Sequence, residues 1–379
     1  MLSSVAMIAR EVGRVGVDRV LPDGRTLPDS GRGLTPSVVE GLTSRPIGSI
    51  SAVRVLEEHH GTAGRVRVAI EAAPAADLPE TLFFKVTPHN VVQRVMMNVF
   101  DLGAREVLFY SQVAPDAPLR VPRCYGATLD ARRGRNVIVL EDLHGSATFR
   151  DIREPVDATQ AAAVIDALAD VHAAFWGTAR FGADLAPLRA RTPASERLGN
   201  AFVGRVLGNL KGHAADVVPA EVQDASRVVI ERRAEIDAYW ARALPLTLCH
   251  GDPHRGNLFF EGDAPGFLDW QAVMAGPGLR DVSYFLVSSM EVDQLVGVER
   301  ELVARYVSRL TSNGVELEST RAWELYRASA VEIYVAAIVT AGTSDRMQPP
   351  EISRVGVDRA AAAVQRLDTF AVLERFLAG

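Results

Sequence analysis

The sequence is poor in cysteine: Cys124 and Cys249 are the two among 379 residues. Two thiols do not make the disulfide framework of a small secreted domain, and a reducing cytoplasm fits them. Positive charge is not in excess. Lys and Arg total 41 against 47 Asp and Glu, for a formal net charge of −6. Nucleic-acid binding as the main task needs clustered cations to neutralise phosphates, so the acidic balance argues against it. No apolar run reaches about 18 residues, so no membrane span is expected. The start, Met1 to Ala9, is mildly apolar, but no basic residue precedes the apolar stretch and no cleavage site follows. It reads as a loose tail rather than a signal peptide.

What is present describes a globular protein. Hydrophobic residues make up 48% and charged residues 23%. The length exceeds what one ordinary core organises, so two lobes are expected. Residues 22–36, rich in Pro, Gly, Asp and Ser, have the composition of a linker. Thr35 would cap a short helix from Pro36. Ile50–Leu56, Val66–Ile70 and Thr81–Val86 read as strands, and Asn90–Val113 carries a helical stripe. Asn136–Leu140 is a further apolar strand. After Glu141-Asp142-Leu143 helices dominate, with strong stripes in Asp157–Phe175, Pro219–Ala243, Arg321–Val339 and Arg359–Leu377. Short apolar strands surround Leu246–Cys249 and Gly266–Leu268.

The chemistry concentrates between these last two strands. His250-Gly251-Asp252 leaves the first, Asn257 follows Asp252 by five residues, and Asp269 ends the second, twelve residues after Asn257. Two carboxylates and an amide on neighbouring strand-loop units can converge on one point. Phosphoryl transfer needs such a set. One carboxylate orients the attacking hydroxyl and accepts its proton, while an amide and a second carboxylate hold Mg²⁺ against phosphate oxygens. His250 and His254, four apart, could be taken for a metal-binding pair. That pairing requires a helix, and Gly251, Pro253 and Gly256 argue against one.

The segment His250-Gly251-Asp252-Pro253-His254-Arg255-Gly256-Asn257, with Leu268-Asp269-Trp270-Gln271, resembles the aminoglycoside phosphotransferase-like kinases, and within them the ecdysteroid-kinase-like and related bacterial branch. The resemblance runs on through Gly276-Pro277-Gly278-Leu279-Arg280-Asp281 and covers most of the chain from about Pro36. It implies an α+β, bilobal, protein-kinase-like fold: a small antiparallel N-lobe sheet with one helix, and a larger, mostly helical C-lobe. It also implies transfer of the γ-phosphate of ATP, with Mg²⁺, to a hydroxyl of a small molecule. On these matches Asp252 is the catalytic base, Asn257 and Asp269 are Mg²⁺ ligands, and His250 and Asp281 support the loop. Trp270-Gln271 replaces the Phe-Gly that follows the metal Asp in protein kinases, so a protein-kinase-style activation switch is in doubt.

The ATP side is read from three further places. Lys85 sits inside the apolar strand Phe83-Phe84-Lys85-Val86, where a charge is costly unless paired. It is either an outward-facing strand lysine or an ammonium on the nucleotide phosphates held by Glu106, as in the strand-Lys, helix-Glu pair of kinases. Gly61-Thr62-Ala63-Gly64 is either a plain hairpin turn or a loop whose N–H groups approach phosphates. Glu141, Asp142 and Leu143 stand where a hinge would meet adenine, or form an exposed connector.

The expected organisation is a flexible tail over 1–33, an N-lobe over 34–143 and a C-lobe over 144–379. The rival reading is a nucleotide-binding pseudokinase or regulatory module without turnover. For the acceptor, Glu291, Asp293, Glu299, Glu301, Glu324 and Asp345 are available to bind a polycation. Tyr284, Phe285, Met290, Tyr326 and Tyr334 would suit an apolar alcohol equally, and the balance leans to a non-aminoglycoside alcohol. His172 reads as a packed core histidine and Cys249 as buried filler. The oligomeric state is not legible.

Overall fold

The computed structural model describes residues 2–20, 26–61, 63–149, 154–189, 192–209, 218–342 and 350–378. A five-stranded antiparallel sheet forms the first lobe. Its strands are β1 (Ile50–His60), β2 (Gly64–Ala72), β3 (Thr81–Val86), β4 (Cys124–Asp130) and β5 (Arg135–Glu141), in spatial order β1-β2-β3-β5-β4. One face is apolar: Val66, Val68, Leu82, Phe84, Val137 and Val139 pack together under Leu34 and Val39. Strand alternation therefore sends Arg65, Arg67, Phe83 and Lys85 to the opposite face, toward the second lobe.

The segment expected to be a flexible tail is instead helical. Helix α1 (Leu2–Val20) lies against helix α3 (Val91–Val99), with helix α2 (Pro36–Leu42) following in sequence. Val15 is buried against Val95 and Val99. Asp18 is 2% exposed and accepts from Arg94 at 2.7 Å, Arg133 at 3.0 Å and Arg135 at 2.7 Å. An isolated helix of this length is marginal, and tertiary packing of one face holds it. The linker-like composition that suggested mobility is confined to the stretch after it, of which residues 21–25 lie outside the described residues.

Other expectations shift locally. The single helix expected over 90–113 is two, α3 and α4 (Leu102–Leu108), ending in a π-helical turn at Phe109–Val113. The break falls at Asp101, whose φ of 56° no continuous helix tolerates. Strand β4 gave no clear sequence signal. The helix expected over 219–243 is three short pieces, joined at Ser226 and Arg232.

The second lobe is mostly helical. It holds β6 (Thr148–Phe149), α5 (Ala158–Ala174), α6 (Pro193–Gly208), α7 (Ala220–Ala225), α8 (Arg227–Glu231), α9 (Arg233–Trp240), α10 (Leu279–Ser289), α11 (Val292–Ser312), α12 (Ser319–Gly342), α13 (Pro350–Arg366) and α14 (Thr369–Ala378). Strands β7 (Thr247–Cys249), β8 (Leu258–Glu261), β9 (Ala264–Phe267) and β10 (Met274–Gly276) form two small ladders, β7 with β10 and β8 with β6 and β9. Contrary to the expectation from apolar runs, α12 is long and apolar enough, by length and composition, to cross a membrane. It lies largely buried, packed on α10, α13 and α14.

Candidate active site

Two loops carry the candidate site residues. The first joins β7 to β8 and carries residues 250–257; the second follows β9 and carries Asp269. Asp281, at the start of α10, fixes the first loop: its carboxylate accepts the backbone N–H of His250 at 2.5 Å and of Gly251 at 3.1 Å. Gly251 has φ 85°, and a Cβ there would stand 2.2 Å from the Ala272 carbonyl oxygen, so only glycine fits. Beneath Asp281, fully buried His172 places Nε2 3.6 Å from its carboxylate and Nδ1 2.9 Å from the Tyr306 hydroxyl. Burial would raise the Asp281 pKa, but His172 and Arg280 hold it below the ordinary carboxylate value.

His250 links the two loops. Its Nε2 donates to the Leu268 carbonyl at 2.8 Å, and its Nδ1 accepts the Asp252 N–H at 3.3 Å. Burial pushes its pKa down, with Asp281 and Asp252 pulling the other way, so the neutral ring fits this donor–acceptor pattern. With Nε2 committed to a carbonyl, His250 has no metal-ligand role, which disposes of the histidine-pair alternative. His254 turns to its own loop, accepting the Gly256 N–H at 3.0 Å. Trp270 stacks on Phe109 at 3.8 Å between ring centroids, and its ring centre lies 4.4 Å from that of His250. The residue that departs from Phe-Gly thus ties the Asp269 loop to the end of the α4 helical segment.

The side chains converge as the spacing suggested. Asn257 Nδ2 donates to the Asp252 carbonyl at 2.9 Å and to Asp252 Oδ2 at 3.3 Å. That leaves the Asn257 amide oxygen turned from Asp252. Lys85 Nζ donates to Glu106 Oε1 at 2.5 Å and to Asp269 Oδ1 at 3.0 Å. Lys85 is 5% exposed and Glu106 fully buried, so the outward-facing alternative for Lys85 falls. Burial alone would depress the Lys85 ammonium, but Asp269 and Glu106 hold its pKa above the ordinary value. Burial lifts the Glu106 carboxyl, against the pull of Lys85. Asp269 goes the other way, its burial outweighed by Lys85 and, more weakly, Arg65.

Two cavities meet at this cluster. One, of about 330 Å³, runs under the sheet along Phe83, Lys85, Leu140, Leu268 and the expected hinge residues Glu141, Asp142 and Leu143. The Glu141 carboxylate is already bound by Arg120 at 2.9 and 3.0 Å, and Arg120 bonds Glu261 as well. Asp142 accepts from Arg67 at 2.7 Å and from the His144 N–H at 3.1 Å. Both carboxylates of this segment are therefore committed within the protein. The other cavity, of about 590 Å³, lies between the 250–257 loop and α12–α13. Arg65, Gly256, Asn257 and Asp269 line both.

The turn expected to cover phosphates is placed differently. Thr62 lies outside the described residues, and Gly61, Ala63 and Gly64 do not line either cavity. Strand β1 runs on through His60, so the turn shrinks, and the cavity wall is made by Glu57, His59, Arg65 and Arg67 instead. Arg65 and Arg67 escaped notice in the sequence. Their signal was the alternation Arg65-Val66-Arg67-Val68, antiparallel to Lys85. Of the candidate acids for a polycation, Glu291 is paired with Arg359, Glu299 with Arg366 and Tyr326, and Glu324 with Arg327 and Arg375. None of the described acids in that set lines the larger cavity, and Asp345 lies outside the described residues. Of the aromatic candidates Tyr284 lines it.

Comparison with known proteins agrees with this geometry. No curated protein matches the chain. Among solved structures, the GDP complex of wild-type aminoglycoside 2'-phosphotransferase-IIIa superposes with a TM-score of 0.51 at 11% identity, over 87% of this chain and 98% of that one. Choline kinase from Cryptosporidium parvum gives 0.51 at 12% identity, over 88% and 95%. A candidate aminoglycoside phosphotransferase from Ralstonia eutropha gives 0.52 at 14% identity, over 86% and 96%. These likenesses establish the bilobal, protein-kinase-like α+β fold. The model of the phosphotransferase enzyme family matches residues 98–323, more than half of the chain, and the protein belongs to that family.

Proposed function

We propose that the protein is a small-molecule kinase that transfers the γ-phosphate of ATP to a hydroxyl group. The observation that carries this reading is Lys85, buried between Glu106 and Asp269 at the wall of the smaller cavity, with Asp269 lining both cavities. A fixed ammonium there suits nucleotide phosphates, and Asp269 beside it borders the cavity left for an acceptor. Residues 34–143 would then bind the nucleotide, and residues 144–379 would supply the catalytic loop and acceptor cavity. The smaller cavity, with apolar Phe83, Leu140 and Leu268 at its walls, suits a base.

The residues present fit a magnesium ion. Asn257 and Asp269 offer hard oxygen donors at the rim of both cavities, and the Asn257 amide nitrogen is already committed to Asp252. When bound, the ion would neutralise charge on the phosphate oxygens. The chain's own residues do the rest. Lys85 holds the phosphates, Asp252 orients the acceptor hydroxyl and takes its proton, and His250 and Asp281 keep Asp252 in place. The energetic basis is positioning together with preorganised charge.

A non-aminoglycoside alcohol suits the larger cavity. Ile333, Ala337, Val339, Ile352 and Val355 give it an apolar wall, and Arg280 and Arg359 line it as well. The test is phosphate transfer from Mg-ATP to a panel of neutral alcohols, amino alcohols and aminoglycosides. Asp252→Asn should lower turnover by about 10³-fold or more while ATP affinity stays within about twofold. Undiminished turnover in that variant sinks the assignment. ATP binding without turnover on any acceptor or on water would favour a binding module without catalysis.

A further inference from the structure

Strand β2 contributes a cation that the catalytic reading above does not use. Arg65 pairs in register with Lys85 on β3, so both side chains leave the sheet on the same face. The two cations divide one carboxylate between them: Lys85 takes Asp269 Oδ1 at 3.0 Å, and the Arg65 guanidinium stands 3.5 Å from Oδ2. Among the described residues, Arg65 is the one cationic side chain that lines both cavities.

Its neighbours are committed elsewhere. Arg67 donates to Asp142 at 2.7 Å. Arg280 donates to the Gly251 carbonyl at 3.0 Å and lies 3.6 Å from Glu332. Arg359 is bound to the Ser288 carbonyl and to Glu291. The Arg65 side chain is 50% exposed, and its contact with Asp269 is long for a charge-assisted bond. A half-exposed pair of that length holds the guanidinium weakly. Were Asp269 to hold a metal ion, the guanidinium would be free to turn to whatever anion lies at the junction.

We propose that Arg65 is a catalytic residue, a guanidinium supplied from within the chain that binds the phosphoryl group as it crosses from the nucleotide cavity to the acceptor cavity. The proposal rests on the kinase reading above. In the step it serves, the acceptor oxygen bonds to the γ-phosphorus as the bond from that phosphorus to the β-phosphate oxygen breaks. The electron pair of the broken bond leaves with ADP, and the acceptor proton passes to Asp252. Negative charge spreads over the three equatorial oxygens of the moving group, and the forked N–H donors of arginine match that array better than an ammonium does. The position at the junction, away from the apolar slot that suits the base, separates this role from ground-state nucleotide binding.

The experiment uses the full chain with water as acceptor. ATP hydrolysis is measured for wild type, Arg65→Ala and Arg65→Lys, with calorimetric affinities for Mg-ADP alone and with aluminium fluoride as a stand-in for the moving phosphoryl group. Arg65→Ala should lower kcat by about 10³-fold, with the KM for ATP and the Kd for ADP changed by less than about threefold. It should also lose the extra affinity that aluminium fluoride confers, and Arg65→Lys should recover part of both. An unchanged kcat overturns the proposal. So does a loss of ADP affinity as large as the loss of kcat, which would make Arg65 a nucleotide ligand only. If wild type neither binds Mg-ADP nor hydrolyses ATP in an Asp252-dependent way, the kinase reading fails, and Arg65 falls with it.

Discussion

Two of the buried ion clusters among the described residues share the same chemistry and have opposite designs. In the N-terminal clamp one carboxylate, Asp18, faces three guanidiniums, those of Arg94, Arg133 and Arg135. In the cleft one ammonium, Lys85, faces two carboxylates, Glu106 and Asp269. The clamp is closed: Asp18 is 2% exposed, it joins α1 to α3 and β5, and it lines neither cavity. The cleft cluster opens into the smaller cavity through Lys85 and into both cavities through Asp269, which is shared with Arg65. A closed cluster spends its electrostatics on holding elements together. An open one keeps its charges available to a third party.

The largest expected contrast is in catalysis. Lys85→Met should lower kcat/KM for ATP by about 10³-fold, near 4 kcal/mol, whereas Asp18→Ala should leave it within about twofold. Steady-state ATP turnover of both variants decides this, and equal losses would erase the distinction. The stabilities should reverse. Asp18→Ala strands buried guanidiniums and should cost about 3 kcal/mol in urea unfolding. Lys85→Met should cost about 1 kcal/mol, because Glu106, whose carboxyl burial already pushes up, takes a proton instead.

The smallest contrast is in pH response. The His250 pKa is lowered by burial, so the folded state holds fewer protons on it than the unfolded chain near pH 6. Its contribution is present above the unfolded value of about 6.5 and is lost as pH falls toward the folded value. The Asp18 pKa is also lowered: its burial is outweighed by hydrogen bonds from Arg135, Arg133 and Arg94. That contribution persists down to the unfolded value of about 3.9 and is lost below it. Acidification should therefore loosen the cleft before the clamp. Urea midpoints from pH 7.5 to 5.5 should fall less in His250→Asn than in wild type, and a fall identical in both would remove His250 from the account.

The same contrast explains what the sequence could reveal. The two loops of the candidate site were legible because His250, Asp252, Asn257 and Asp269 lie within twenty residues, on loops that follow short strands. Lys85 was legible because a charge in an apolar strand demands a partner. The clamp was not, since Asp18 meets its arginines across 115 and 117 residues and no local pattern encodes such a pairing. Arg65 was hidden for a related reason. Arg-Val-Arg-Val is ordinary strand alternation, and only the register against Lys85 shows which face it serves. The break at Asp101 depends on a left-handed backbone that asparagine, aspartate or glycine adopt without announcing it.

The mount of the 250–257 loop has a consequence for engineering. Asp281 grips the loop by two main-chain N–H groups, and Gly251 admits no side chain beside Ala272. The carboxylate of Asp252, the base proposed above, thus hangs from a bracket assembled without it. Swapping that one side chain changes the tool and leaves the holder intact, so an inactive Asp252 variant should trap nucleotide and acceptor together in working alignment for direct identification of the bound alcohol.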